Sequence, residues 1–115
     1  MSRERMRRVD QAMRQVLGDA LAQDLKDPRV GFVTVTDVKT THDLRYARVY
    51  VSVLGDEDAR TATLDGLRSA QGFLQGRVAG ELRLKRTPEL SFELDETAQR
   101  AARLEALIEQ EAERP

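Results

Sequence analysis

A chain of 115 residues, 40% of them apolar, builds one small domain around one core. Its 19 Lys+Arg and 20 Asp+Glu nearly cancel, so no global field announces a nucleic-acid or membrane partner. With no cysteine and His42 as the one histidine, a disulfide framework, a thiolate zinc site, a cysteine nucleophile and any site needing two imidazoles are excluded.

Met6, Val9, Met13, Val16, Leu17, Ala20, Leu21 and Leu25 recur at intervals of three and four, which predicts one amphipathic helix over about residues 4–25. Asp27-Pro28 stops it, because the residue before a proline is pushed out of the α region. The β-branched run from Val30 to Val38 reads as a strand with Gly31 at its entry, and Thr40 to Asp43 as a polar turn. Leu44 to Leu54 alternates strictly. Ala47, Val49, Val51 and Val53 fall on one face, and Tyr46, Arg48, Tyr50 and Ser52 on the other, so the two runs form a hairpin. The carboxylates of Gly55-Asp56-Glu57-Asp58 suit a helix N-terminus. That helix runs toward Ser69-Ala70, Gly72 interrupts it, and the period resumes at Leu74, Val78 and Leu82. Pro88 closes the region, Leu90, Phe92 and Leu94 alternate as a third strand, and Asp95 caps a last helix bearing Ala101, Leu104, Leu107 and Ile108.

The expected fold is α+β, in the order α-β-β-α-kink-α-β with a three-stranded sheet. Residues 1–95 make the domain, and residues 96–115 an acidic amphipathic tail, helical or mobile. No apolar stretch approaches the ~20 residues of a membrane span, and the charged start MSRERMRRVD lacks the apolar core of a secretory signal. A cytoplasmic monomer is expected.

Local charge is uneven. Residues 1–14 hold Arg3, Arg5, Arg7, Arg8 and Arg14 against Glu4 and Asp10; residues 66–87 hold Arg68, Arg77, Arg83, Lys85 and Arg86 against Glu81 alone. Residues 89–115 hold eight acids and three arginines. Two basic patches and an acidic tail are the result, unless these are merely solvated helix faces. Gly72, Gly76 and Gly80 lie four apart, and each interior glycine costs about 1 kcal/mol relative to alanine. A bend at Gly72 accounts for the first. For Gly76 and Gly80 the expectation is a smooth side packed against another element, the alternative being close approach to a phosphate chain.

Enzyme chemistry has little support. Asp56-Glu57-Asp58 suits capping better than metal binding, and His42-Asp43 is one imidazole beside one carboxylate without a second base. No catalytic residue, metal, cofactor or small-molecule substrate is expected. Phe32, Phe73 and Phe92 read as core, while Tyr46 and Tyr50, flanking Arg48 on the face opposite the valines, leave base stacking conceivable.

A helix, a kink and a second helix beside a three-stranded sheet is the arrangement of one class of KH domain, but this chain has no GXXG clamp. Arg8-Val9, Asp27-Pro28-Arg29-Val30-Gly31, Thr34-Val35-Thr36, Asp43-Leu44, Ala47-Arg48-Val49-Tyr50-Val51-Ser52, Ala70-Gln71-Gly72-Phe73 and Leu82-Arg83-Leu84-Lys85-Arg86-Thr87-Pro88-Glu89-Leu90 follow one another in order. In order and spacing, over about residues 5–95, they resemble the ribosome-binding factor A family of bacterial small-subunit assembly factors. The resemblance implies a type II KH-like fold whose clamp is replaced by an alanine-x-glycine kink, here Ala70-Gln71-Gly72. It implies non-catalytic binding to the free 30S subunit and its 16S rRNA in late maturation and processing, with a role in cold adaptation. Gln75, Gly76, Gly80 and Glu81 stand where family members are often more basic. The candidate RNA contacts are Arg3, Arg5, Arg7, Arg8, Arg14, Arg48, Arg77, Arg83, Lys85 and Arg86, through phosphates and shape. The rival reading is a protein-docking module presenting Leu104, Leu107 and Ile108 of the acidic tail.

Overall fold

The computed structural model describes residues 2–113; Met1, Arg114 and Pro115, at the outer ends of the two expected segments, lie outside the described residues. Helix α1 spans Arg3–Gln23, strand β1 Val33–Thr40, strand β2 Tyr46–Val53, helix α2 Glu57–Ser69, helix α3 Gln71–Glu81, strand β3 Glu89–Leu94 and helix α4 Thr97–Glu113. The order is the expected one.

The starts of α1 and α2 and the hairpin turn each have a chemical cause. The Ser2 hydroxyl accepts from the Arg5 N–H at 3.2 Å and so occupies one of the donors that open α1. The Asp56 carboxylate does the same for Ala59 at 2.8 Å, placing the acidic run at the positive end of α2. Between β1 and β2, the Asp43 carboxylate accepts from the Thr41 hydroxyl and the Arg45 N–H. That turn holds Leu44 at φ 60°, a left-handed conformation that costs a leucine roughly 1–2 kcal/mol. Burial of its side chain to 8% exposure offsets the strain.

β1 and β2 pair antiparallel, with an irregularity between Val35 and Asp37; β2 and β3 pair parallel, with β2 in the centre of the sheet. The parallel pair requires the long crossover that α2 and α3 provide. Val35, Val38, Ala47, Val49, Val51, Leu90 and Phe92 line one sheet face and pack with Met13, Val16, Leu17, Ala20, Leu67, Leu74 and Val78 of the helices. The result is two layers, with Tyr46, Arg48, Tyr50 and Ser52 on the face turned away from that core.

Three sequence expectations need correction. The break between α2 and α3 falls at Ala70 (φ −89°, ψ 6°), and Gly72 is already inside α3. The Ala70 N–H donates back to Gly66 and Leu67, and its carbonyl accepts from Leu74, so one residue ends one helix and starts the next. Gly76 and Gly80 pack against nothing: a Cβ built at either would meet no atom within 4 Å. Phe92 is core, but Phe32 is 81% exposed and Phe73 46%, because Phe32 precedes β1 and Phe73 lies away from the Leu74/Val78 stripe of α3.

Gly66 is the glycine that packing requires. A Cβ there would come within 2.6 Å of Val30 Cγ2, since the Asp27–Gly31 loop lies directly on α2. The Asp27 carboxylate accepts from the Arg29 N–H and guanidinium at 2.7–3.1 Å, and the Thr63 hydroxyl meets Gly31 N–H and Arg29 O at 3.4 Å. The Asp27-Pro28-Arg29-Val30-Gly31 segment is thus a structural brace between α1 and α2.

Candidate nucleic-acid interface

Members of both basic clusters lie toward the hairpin end of the sheet, in separate hollows. The Thr40 N–H donates to Asp10 Oδ1 at 3.1 Å, which fixes the N-terminal half of α1 beside the end of β1. The Glu89 N–H donates to the Arg45 carbonyl at 2.8 Å, which brings the connection between α3 and β3 to the same turn. Lys85 and Arg86 line a hollow with His42, Asp43 and Leu44, while Arg7 and Arg14 line another with Asp10, Asp37 and Lys39. Arg3, Arg5, Arg7, Arg8, Arg83, Lys85 and Arg86 are all exposed.

Their availability differs. Arg8 lies 3.4 Å from Glu4, an exposed pair worth a few tenths of a kcal/mol that a phosphate displaces readily. Arg14 donates from Nε to the Val35 carbonyl at 3.3 Å, so part of its guanidinium is committed to the β1 backbone. Arg77 is paired with Asp24 of α1 and with Glu81, and the bond to Asp24, then that to Glu81, drives its pKa further up. Its charge is neutralised locally, and it joins α1 to α3 rather than the basic end. Arg48 stands on the open sheet face, its charge favoured first by Tyr50 and then by Glu93.

Sequence reading passed over Lys39 and Arg45, which the hairpin brings to this end. Their position flanking the turn was the available signal. The carboxylates here are themselves engaged. Burial pushes Asp10 above the ordinary carboxylate range despite its Thr40 hydrogen bonds, while the Thr41 hydroxyl and then the Arg45 N–H hold Asp43 below it.

The corner at Ala70 and the first residues of α3, Gln71 and Gly72, sit against β3. Gln71 Nε2 donates to the Leu90 carbonyl at 2.8 Å, and Gln75 Oε1 accepts from the Leu90 N–H at 3.5 Å. Beyond it, Gly72, Gly76 and Gly80 leave an exposed helix surface without side chains. Among the described residues, no group of three or more His, Asp or Glu is placed to hold a metal ion, and no helix is long and apolar enough to cross a membrane.

Two helices meeting at a corner beside a β1-β2-β3 sheet, with an alanine-x-glycine in place of GXXG, define a KH-like fold. Residues 5–108 match the family described as Ribosome-binding factor A, and the chain belongs to that family. It is similar to the crystal structure of ribosome-binding factor A from Thermus thermophilus, at 28% identity and TM-score 0.68, over 77% of this chain and 94% of that one. A Thermotoga maritima protein described as a candidate ribosome-binding factor A, solved by solution NMR, matches at 38% identity and TM-score 0.72, over 81% and 89%. A homology model of Thermus thermophilus ribosome-binding factor A, fitted into a cryo-EM map of its complex with the 30S subunit, matches at 28% identity and TM-score 0.62, over 75% and 90%. A ribosome-binding factor is therefore the class of protein to which this chain belongs.

Proposed function

We propose that this protein binds the free small ribosomal subunit through its 16S rRNA during late assembly and processing, without catalysis. The observation that carries the reading is that Lys85 and Arg86 line a hollow with the hairpin turn while Arg7 lines another with Lys39 near the end of β1, and Arg3, Arg5, Arg8 and Arg83 are exposed. A near-neutral chain has no long-range field to spend, so affinity comes from a local cluster that displaces counterions from a few phosphates. The similar Thermus thermophilus protein fitted on the 30S subunit supports the choice of partner. By the same family membership, the protein acts in the cytoplasm as a monomer, leaves before translation and serves growth in the cold. Residues 1–95 are the binding domain.

Charge reversal tests this. The R83E/K85E/R86E variant, whose three side chains are exposed loop residues, keeps its fold by circular dichroism and loses small-subunit binding. Unchanged binding by that variant overturns the reading.

A second reading has one observation in its favour: α4 carries Leu104, Leu107 and Ile108 at 58–59% exposure among acidic residues, a surface suited to a protein partner. Deleting residues 97–115 separates the two, since an RNA binder tolerates the loss and a docking module does not.

A further inference from the structure

We propose that Tyr46 is a stacking platform for an unpaired nucleotide of the RNA, with Arg48 and Lys39 beside it to hold the adjoining phosphate. This rests on the RNA-binding reading above and adds to its phosphate contacts a site that reads single-stranded conformation. The site lies on the sheet face opposite the core. There Lys39, Thr40, Thr41, Tyr46, Arg48 and Ser91 line an open, shallow hollow of about 470 Å³.

The parts fit a nucleotide. Tyr46 is 54% exposed, a ring half out of the protein, as a stacking surface must be. Its backbone is held at both ends: the Tyr46 N–H donates to Thr41 Oγ1 at 3.1 Å, and its carbonyl accepts from the Thr41 N–H at 2.8 Å. The backbone beneath the ring therefore needs no further ordering when a base lands on it. Lys39, Arg48 and Ser91 are register partners across the three strands, so two cations and a hydroxyl form one row next to the ring. On β3, Ser91 is flanked by Glu89 and Glu93, which repel a phosphate and direct it to the Lys39 side.

The two tyrosines are not equivalent. Lys39 Nζ lies 5.8 Å from the Tyr50 ring centroid, so that ring already has a cationic neighbour, and it is less exposed than Tyr46. Tyr46 follows the turn whose His42, Asp43 and Leu44 line a hollow with Lys85 and Arg86, so a strand held by those two cations has a base within the same neighbourhood. A base inside a duplex offers no free face, so the site selects single-stranded RNA.

The test uses the full chain with both tyrosines replaced by 3-fluorotyrosine, which gives two fluorine resonances assigned with Y46F. A short single-stranded RNA shifts the Tyr46 resonance, and the same RNA as a duplex does not. Y46A binds the single strand roughly tenfold more weakly, while Y46F, which keeps the ring, binds like wild type. A Tyr46 resonance that stays still, or Y46A binding at full strength, overturns the site. If R83E/K85E/R86E meanwhile loses the small subunit, the general reading stands and only the stacking site falls. If neither variant matters, both fall. A Tyr46 resonance that moves with ribosomal proteins but not with RNA assigns the face to a protein and also overturns the site.

Discussion

Gln71 Nε2 lies 2.8 Å from the Leu90 carbonyl, so the residue at the corner of the two helices is bonded to the backbone of the edge strand. An edge strand exposes unpaired backbone groups that invite another chain to pair. Here side chains of the helix pair occupy them: Gln71 at the Leu90 carbonyl, Gln75 at the Leu90 N–H, and Arg68 Nη2 at the Phe92 carbonyl, 3.4 Å away. One set of bonds thus fixes the corner and guards the edge. Replacing Gln71 by Ala lowers stability by about 1 kcal/mol, because a partly buried carbonyl loses its donor. Chemical denaturation measures it; an unchanged midpoint contradicts the anchoring role.

The glycines divide into two groups that alanine scanning separates. G76A and G80A stabilise the protein by up to about 1 kcal/mol each, since α3 has open space at both positions. G66A destabilises it, because the new methyl is driven against Val30 Cγ2, a stiff β-branched neighbour held in the braced loop. Thermal unfolding of the three variants checks the opposite signs.

Arg77 separates structural charge from binding charge. R77A leaves small-subunit affinity unchanged, because Asp24 and Glu81 already neutralise the guanidinium, and the loss of stability is small because these pairs are partly solvated. A loss of binding comparable to that of R83E/K85E/R86E contradicts this assignment.

The fold was legible wherever one periodicity persisted. The Met6-to-Leu25 stripe and the Ala47/Val49/Val51/Val53 alternation located α1 and β2 because burial selects residue type at those spacings. Chemistry between distant residues was not legible. Asp24 and Arg77 are 53 positions apart, so Arg77 read as a free cation. Glycine is the strongest local breaker, so sequence points to Gly72, whereas the hydrogen-bond ladder turns at Ala70. Phe32 read as core by residue type alone, but it lies just outside β1, where Val35 and Val38 take the inward positions. At the candidate site, the arginine clusters were visible in sequence. That Lys85 and Arg86 come to lie beside the hairpin turn depends on the parallel pairing of β2 with β3, which composition does not encode.

Asp95 makes stability depend on acid. Its Oδ2 accepts from the Thr36 hydroxyl at 2.7 Å and its Oδ1 from the Thr97 N–H at 3.0 Å; the Thr36 bond, then the Thr97 bonds, hold the carboxyl below the ordinary carboxylate range. A group whose folded pKa lies below its unfolded value stabilises above the unfolded pKa and loses that contribution as pH falls through the folded one. T36V is therefore less stable than wild type at neutral pH, and the difference shrinks below about pH 4. Denaturation midpoints of both proteins across that range read it directly; a constant difference contradicts the linkage.

Binding to the RNA-rich small subunit through a few exposed cations is selective and sensitive to salt. The most direct measurement is co-sedimentation of the full chain with purified small subunits, large subunits and assembled ribosomes at rising salt. Pelleting with free small subunits alone, and steep release as salt increases, is the predicted result. Equal pelleting with all three particles, or with none, contradicts it.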